Sequence, residues 1–347
     1  MYHFISASKD ATVYLQQPNQ NTGLDGILEV SKTYYGGVKE VSRALLYFDV
    51  SNIYEFQLEE ATLILKETES EEIPLEFAIE ANPVSQSWQM GIGTRFDEIS
   101  TMGVSWYFRD GKTPWSPITN HADWQSGSFV NQGGTFYSEI SGSQSFEYKT
   151  VDIQMDITEI VYSWVNGIIP NDGIVVKHPL DTEKDDNDYG TLKFFSKETN
   201  TIYQPKLRLG WDDQEFFTGS LQEFGDYKIH VAFRNFKKEY RVNSNTKIDV
   251  VSRHKYPLKT FENEFSYQTV GYYLPETTYY EITDYHTDDI IIPFSEYSKV
   301  SCSPNGNYIN LNFNNWETDR TYKIKIKSVI NGNTHYFDDD YTFLLIR

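Results

Sequence analysis

The chain of 347 residues contains a single cysteine, Cys302, and only four methionines. One cysteine excludes an intrachain disulfide and any metal site in which one chain supplies several thiolates. No window approaches the roughly 18 consecutive apolar residues of a membrane-spanning helix. The first residues, MYHFISASKDATVYLQQ, also lack the basic and apolar segments of a secretory signal. From these absences we expect a chain that folds in a cytosol.

Positive charge is also scarce. The chain has 30 basic and 50 acidic residues, which gives a formal net charge of −20. A surface this negative is repelled by phosphate backbones and by anionic lipid, so we expect neither nucleic acid nor a membrane as a partner. The ordinary consequence of such a charge is solubility.

Catalytic signatures are missing as well. The seven histidines are scattered without an HExxH pair, and no GxSxG elbow, phosphate-binding loop or dinucleotide fingerprint occurs. Paired carboxylates for glycoside cleavage stay open, because 50 acidic residues always leave candidates. The sequence therefore predicts a protein that is not an enzyme, with no catalytic residue, no zinc site and no cofactor.

An acidic run in PLDTEKDDNDYG is the one candidate for a metal. Asp185, Asp186 and Asp188 lie close enough in sequence to offer oxygen ligands to calcium. The run lacks the central glycine and the terminal glutamate of the helix-flanked calcium loop. A solvated loop between two strands is therefore the favoured interpretation, and the same holds for the run Asp338, Asp339 and Asp340.

Aromatic residues are abundant, with 26 Tyr, 22 Phe and 7 Trp, and such side chains favour strands. Short β-rich segments bounded by turn formers are predicted at 11–15, 27–30, 42–50, 61–66, 173–177, 191–196 and 205–209. One segment, 156–166, instead has the apolar spacing of a helix face. There we predict a short helix, with Asp156 capping its first turn, Glu159 at the reciprocal position and Gly167 after its end.

A domain boundary is predicted at the acidic, aperiodic stretch 211–225, which we interpret as a linker between domains 1–210 and 226–347. Beyond it, Tyr322, Ile324 and Ile326 alternate with lysines, as in a strand with one buried face. Asn331-Gly332 then predicts a hairpin to a partner strand beginning near His335. The second domain is expected to be an immunoglobulin-like β-sandwich.

Several segments in order carry a resemblance to a known family: DATVYLQQPNQNTG, SRALLYFDVSNI, LEEATLILK, MDITEIVYSWVNG, DGIVVK and QPKLRL. With them, residues 10–209 resemble the DNRLRE-type carbohydrate-binding-module-like jelly roll. The resemblance implies an all-β first domain, a jelly-roll-like sandwich with one short helix. The chain departs from that family in an aromatic insertion at about 91–145. With its C-terminal domain, the whole chain is similar to virion structural proteins of tailed bacteriophages.

This second resemblance implies a non-enzymatic structural protein of the virion, associated with the tail, neck or baseplate. Such a protein assembles in the host cytoplasm, and its partners are other virion proteins and copies of itself. One alternative is a carbohydrate-binding module whose partner is a host surface glycan. A second alternative is a polysaccharide depolymerase.

The insertion and the residues just before it concentrate aromatic side chains. Those singled out are Trp88, Trp106, Tyr107, Trp115 and Trp124. Aromatic platforms stack on sugar rings in many binding modules, but tryptophan and tyrosine are also enriched in cores and subunit interfaces. We favour packing or an interface over a sugar site.

Overall fold

The computed structural model describes residues 1–53, 58–115, 133–147, 152–224, 228–256 and 271–347. In these ranges the chain is almost entirely β, and the prediction of an all-β sandwich fold is confirmed. The chain divides into two compact units, one of Ile5–Leu209 and one of Met1–Phe4 with Gly210–Arg347. Within the described ranges, no helix is long and apolar enough to cross a membrane.

The first unit contains the elements of the predicted jelly-roll domain. Its strands are β1 (Tyr2–Ser6, which begins in the other unit), β2 (Lys9–Tyr14), β3 (Ile27–Tyr35), β4 (Val38–Tyr47), β5 (Glu60–Leu65), β6 (Glu67–Glu71), β7 (Glu76–Pro83), β8 (Gly142–Glu147), β9 (Ile153–Asp156), β10 (Ile174–Lys177), β11 (Gly190–Phe195) and β12 (Lys206–Gly210). Its helices are α1 (Thr158–Val165) and α2 (Leu180–Lys184).

Two sheets build this unit. One has the order β6-β11-β3-β4-β10-β7-β8, with β2 also paired to β4, and the other has the order β1-β12-β5-β9. Side chains alternate between the faces of a strand, so Leu192 and Phe194 of β11 are buried while their neighbours are partly exposed. Strand β6, with the sequence ETESE, lies at one edge of the larger sheet.

The predicted helix is confirmed as α1, which buries Ile160, Val161 and Trp164. Asp156 does hold the first turn, because its carboxylate accepts the backbone N–H of Thr158 at 2.9 Å. The N-cap residue itself is Ile157, with no side-chain hydrogen bond, so the reciprocal capping predicted for Glu159 is not formed. After the helix, Gly167 has the positive φ of +66° that ends many helices.

The second unit contains the remaining strands. They are β13 (Gln222–Glu223), β14 (Ile229–Arg234), β15 (Glu239–Arg241), β16 (Asn245–His254), β17 (Tyr272–Tyr273), β18 (Thr278–Asp284), β19 (Ile290–Ile292), β20 (Ser301–Ser303), β21 (Gly306–Asn312), β22 (Arg320–Ile330) and β23 (Asn333–Ile346). They form sheets of order β14-β16-β21-β20 and β15-β23-β22-β18-β19, and the parallel pair β13-β17.

The predicted hairpin is confirmed as β22 and β23, where Ile330 pairs with Asn333. Both turn residues have positive φ, 50° at Asn331 and 77° at Gly332, as a two-residue turn of this kind requires. Residues 211–225 were predicted to be a linker, but their described part is integrated into the second unit. Phe216 bridges to Cys302, and β13 pairs with β17.

Candidate functional site

The structure places three of the five predicted aromatic side chains in the interior. Trp88, Trp106 and Trp115 belong to one hydrophobic core with residues of β2, β4 and β10. The indole N–H of Trp88 donates to the Asp172 carbonyl, and that of Trp115 donates to the Ser105 carbonyl. Buried rings offer no face to a sugar or to another subunit, so their role here is packing.

The other two predicted aromatic residues have different positions. Tyr107 is partly exposed, at 37% of its reference area. Trp124 lies outside the described residues. Of the predicted sugar or interface residues that are described, only Tyr107 therefore reaches the surface.

A buried asparagine organises the described start of the aromatic insertion. The Asn21 amide nitrogen donates to the Met90 carbonyl at 2.7 Å and to the Val104 carbonyl at 2.8 Å. Its amide oxygen accepts the backbone N–H of Gly93 at 2.8 Å. One fully buried side chain thus holds both ends of the loop 90–104.

Two glycines allow the ends of this loop to approach each other. Gly91 and Gly103 have φ of +83° and +122°. A Cβ on Gly103 would lie 2.4 Å from the Gly91 Cα, so no other residue fits there without movement of the backbone. The close approach of Gly91 and Gly103 therefore helps to hold the loop, together with the hydrogen bonds of Asn21.

The fixed loop exposes apolar side chains. Ile92, Phe96, Ile99 and Met102 are between 63% and 88% exposed. Leu24 is also exposed and is tied to the loop, because its backbone N–H donates to the Gly93 carbonyl at 3.0 Å. We call these five side chains the apolar loop surface. Exposed apolar groups held on a rigid backbone are typical of interaction sites.

An arginine anchors the centre of the same loop. The Arg95 guanidinium lies 4.4 Å from the centre of the Tyr14 ring and 5.2 Å from that of Phe96. It also pairs with the carboxylate of Glu29. Phe96 is therefore next to a residue, Arg95, whose side chain is bound to Glu29 of strand β3.

The apolar loop surface was not predicted from the sequence. Its apolar residues follow no strand or helix period, and the aromatic residues around them drew the prediction toward tryptophan. The available signal was the pair Gly91 and Gly103 enclosing isolated apolar residues in a stretch without secondary structure.

A second notable feature is a set of buried charges on the larger sheet. Lys32 of β3, Arg43 of β4 and Lys177 of β10 are fully buried. Arg43 forms a bidentate pair with Glu183, with Nε to Oε1 at 2.9 Å and Nη2 to Oε2 at 2.5 Å. The other two cations pair with partly exposed carboxylates, Lys177 with Glu80 at 2.9 Å and Lys32 with Asp185 at 3.4 Å.

The acidic run that was predicted as a loop, PLDTEKDDNDYG, packs against these buried cations. It contains α2, and its Glu183 is buried rather than solvated, because the carboxylate reaches Arg43. We call residues 178–189 the acidic strap. The prediction of a wholly solvated loop is therefore wrong at Glu183.

The three calcium candidates of the acidic strap are engaged by donors from the chain. Asp185 accepts from Asn187 and from the Tyr189 hydroxyl, and Asp186 pairs with Lys39 at 2.9 Å. Asp188 accepts the backbone N–H of Gly190 at 2.8 Å. In the part of the chain that the structure describes, no three His, Cys, Asp or Glu side chains are grouped so as to hold a metal ion.

Two aromatic rings lie against Arg43, and further buried polar groups lie in the same unit. Its guanidinium lies 5.0 Å from the Trp106 ring centre and 5.8 Å from that of Phe136, and Lys177 lies 4.9 Å from the Phe136 ring. Trp106 Nε1 and Thr135 Oγ1 are buried without a hydrogen-bond partner among the described residues. Burial lowers the pKa of His178 to about 4, so this ring is neutral at pH 7.

Asp10, on β2, is a buried carboxyl group that belongs neither to the apolar loop surface nor to the buried charges around Arg43. Its side chain accepts the backbone N–H of Lys197, but burial raises its pKa to about 7. A carboxyl whose pKa is higher in the folded than in the unfolded chain favours the folded state at low pH. That contribution is lost as pH rises from about 4, the ordinary value, to about 7.

We therefore expect Asp10→Asn to stabilise the protein increasingly with pH. Asparagine keeps the acceptor for Lys197 but never ionises. Between pH 4 and pH 8 the difference in unfolding free energy between variant and wild type should rise by about 2–4 kcal/mol. Urea unfolding across this range measures it, with the exposed Asp181→Asn as control. A difference that stays constant with pH would contradict the prediction.

Comparison with known proteins adds little. No protein-family model matches the chain, and no curated protein is similar to it. One solved structure, a DUF4785 family protein from Legionella pneumophila, aligns with 98% of this chain at 8% identity and a TM-score of 0.20. The chain spans 65% of the length of that protein. A likeness this weak supports no conclusion about function.

Proposed function

We propose that the protein is a non-enzymatic structural protein of a tailed bacteriophage virion, in the tail, neck or baseplate. It acts as an assembly module, and the apolar loop surface is the contact that it offers to neighbouring subunits. The observation that carries the proposal is the exposure of Ile92, Phe96, Ile99 and Met102 on a loop fixed by Asn21. The order of family-like segments in the sequence points in the same direction.

Rigidity is what makes this loop suitable for assembly. An interface built from a mobile loop spends part of its binding free energy on ordering that loop. Here the backbone is already held by Asn21, Gly91 and Gly103, so burial of the apolar side chains contributes more directly to association. Burial of apolar surface contributes roughly 25 cal/mol per Å².

Charge and symmetry fit the same role. A net charge of −20 keeps separate copies soluble at low concentration. In a closed ring each subunit presents the same surface repeatedly, so contacts of modest affinity add together. Assembly then depends on local concentration in the growing particle.

The proposal predicts that Phe96→Ser combined with Ile99→Ser reduces incorporation into particles at least tenfold. The matched control is Leu75→Ser, because Leu75 is equally exposed in the same unit but lies outside the apolar loop surface. Both proteins should unfold at the wild-type denaturant concentration, since exposed side chains contribute little to stability. Quantitative mass spectrometry of purified particles from complemented infections measures incorporation. Absence of the wild-type protein from particles, or equal incorporation of both variants, would overturn the proposal.

A further inference from the structure

Positive charge is concentrated in one part of the second unit. Residues 228–256 contain eight lysine or arginine residues but only two acidic residues, in a chain with a formal net charge of −20. The first unit, Ile5–Leu209, contains 15 basic and 30 acidic residues instead. The stretch 228–256 therefore has a charge opposite to that of the first unit.

Strand pairing brings four of these cations to one face of a sheet. From Lys247 to Arg253, both of them exposed, the residues of β16 alternate between an outer face and a buried one. Arg234 of β14 lies on the outer face, directly opposite Asp249 of β16. Lys255 follows β16 on the same side and continues the strand pairing through a backbone hydrogen bond of 2.7 Å. We call Arg234, Lys247, Arg253 and Lys255 the basic face.

The basic face is not neutralised by its own surroundings. Within the described ranges, none of its four side chains forms an ion pair. Asp249 is the one acidic residue of β14 and β16, and its carboxylate accepts from the Asn235 amide at 3.0 Å. The Lys247 ammonium lies 3.4 Å from the centre of the Tyr308 ring, whose hydroxyl donates to Glu215. The outer face of this sheet thus carries mostly uncompensated cations in a strongly acidic protein.

A row of carboxylates in the first unit has the matching charge and spacing. Glu69 and Glu71 of β6 have side chains that are 67% and 56% exposed, and they share the single ammonium of Lys193. The row therefore keeps a net negative charge. Alternate residues of a strand lie about 7 Å apart, so these carboxylates repeat at the same distance as Arg253 and Lys255.

We propose that the basic face docks on the acidic row of β6 in a second copy of the chain. The contact joins the outer faces of two sheets through side chains, without pairing of strand edges. It is heterologous, because each copy offers one surface of each kind. Duplex DNA matches the spacing less well, since it carries one charge per about 1.7 Å of its axis. The inference does not depend on the apolar loop surface, nor on assembly into a virion.

Such a contact depends on ionic strength. Near 0.1 M salt the Debye length is about 10 Å, so repulsion between distant parts of two acidic copies is screened while ion pairs in contact persist. At 1 M salt the Debye length is about 3 Å, and exposed ion pairs contribute little even before that screening. We therefore expect weak self-association near 0.1 M salt that is lost at 1 M.

The test is a complementation experiment on the purified full chain, measured by sedimentation velocity over a concentration series at 0.1 M salt. Arg253→Glu combined with Lys255→Glu reverses the basic face, and Glu69→Lys combined with Glu71→Lys reverses the acidic row. Each variant alone should self-associate at least tenfold more weakly than the wild type. An equimolar mixture should regain association, because one variant keeps an intact basic face and the other an intact acidic row.

Two control proteins separate this contact from other effects. Lys112→Glu combined with Lys184→Glu changes the net charge equally at exposed positions outside both surfaces, and should associate as the wild type does. Phe96→Ser combined with Ile99→Ser should also keep the association, although the proposed role in assembly predicts that it fails to enter particles. The two proposals can therefore fail independently.

Three outcomes would overturn the inference. One is a wild-type protein that stays monomeric at every concentration. Another is a mixture of the two reversed variants that remains as dissociated as each variant alone. The third is a monomeric wild type that binds a duplex DNA oligonucleotide while the variant with Arg253→Glu and Lys255→Glu does not, which would make nucleic acid the partner of the basic face.

Discussion

Arg43→Met should lower the free energy of unfolding by about 3–5 kcal/mol, because it removes the bidentate partner of the buried Glu183 carboxylate. Both partners are almost completely enclosed, and the two hydrogen bonds that join them, at 2.9 and 2.5 Å, are lost together. Methionine fills a similar volume, so loss of packing contributes little. Urea unfolding at pH 7 followed by tryptophan fluorescence measures the change.

The double variant Arg43→Met with Glu183→Leu is the decisive control. Replacing a buried ion pair by apolar side chains of similar size is often neutral or stabilising. We therefore expect the double variant to recover most of the stability lost in Arg43→Met, with a coupling free energy of about 2–4 kcal/mol. Additive effects of the two substitutions would show that the pair does not hold the strap to the sheet.

Asn21→Asp should destabilise the first unit by about 2–4 kcal/mol, although the two side chains have nearly the same shape. The amide nitrogen now donates to two carbonyl groups, at 2.7 and 2.8 Å. In aspartate a carboxylate oxygen takes its place, so like partial charges meet in a buried position. Part of the loss should return at low pH, where the protonated carboxyl can donate one of the two bonds.

Asn19→Asp is the matched control for this substitution, because Asn19 is exposed and lies two residues earlier in the chain. It should change the unfolding free energy by less than about 0.5 kcal/mol. Hydrogen exchange adds a local measurement, since the Gly93 N–H that pairs with Asn21 should lose protection in Asn21→Asp alone. Unchanged protection at Gly93 would mean that the loop is held by other contacts.

Local sequence predicted much of the fold. Apolar spacing identified α1, alternation identified β22, and the two turn residues Asn331 and Gly332 identified the hairpin. Each of these signals acts over a few residues. These local preferences agree with the tertiary structure, so the elements that they predict are present in the folded protein.

The candidate site depended on contacts that no local pattern contains. Glu183 is separated from Arg43 by 140 positions, and Asn21 from Val104 by 83. In isolation, Glu183 belongs to an acidic run that is typical of a solvated loop, and Trp106 to an aromatic insertion. Their burial is a property of the tertiary structure, so sequence composition could not separate a packed tryptophan from an exposed one.

The edge strand β6 sets a limit on how copies of this protein can meet. An edge strand offers free backbone groups with which a second sheet can pair. Glu67, Glu69 and Glu71 line this strand, and the single ammonium of Lys193 on β11 pairs with Glu69 and Glu71. The edge stays net negative, so a second copy added in the same way would place carboxylates beside carboxylates. This repulsion disfavours continuous sheets between copies through β6, and with them fibre growth in the crowded cell. The proposed contact through the apolar loop surface involves no such pairing of edge strands.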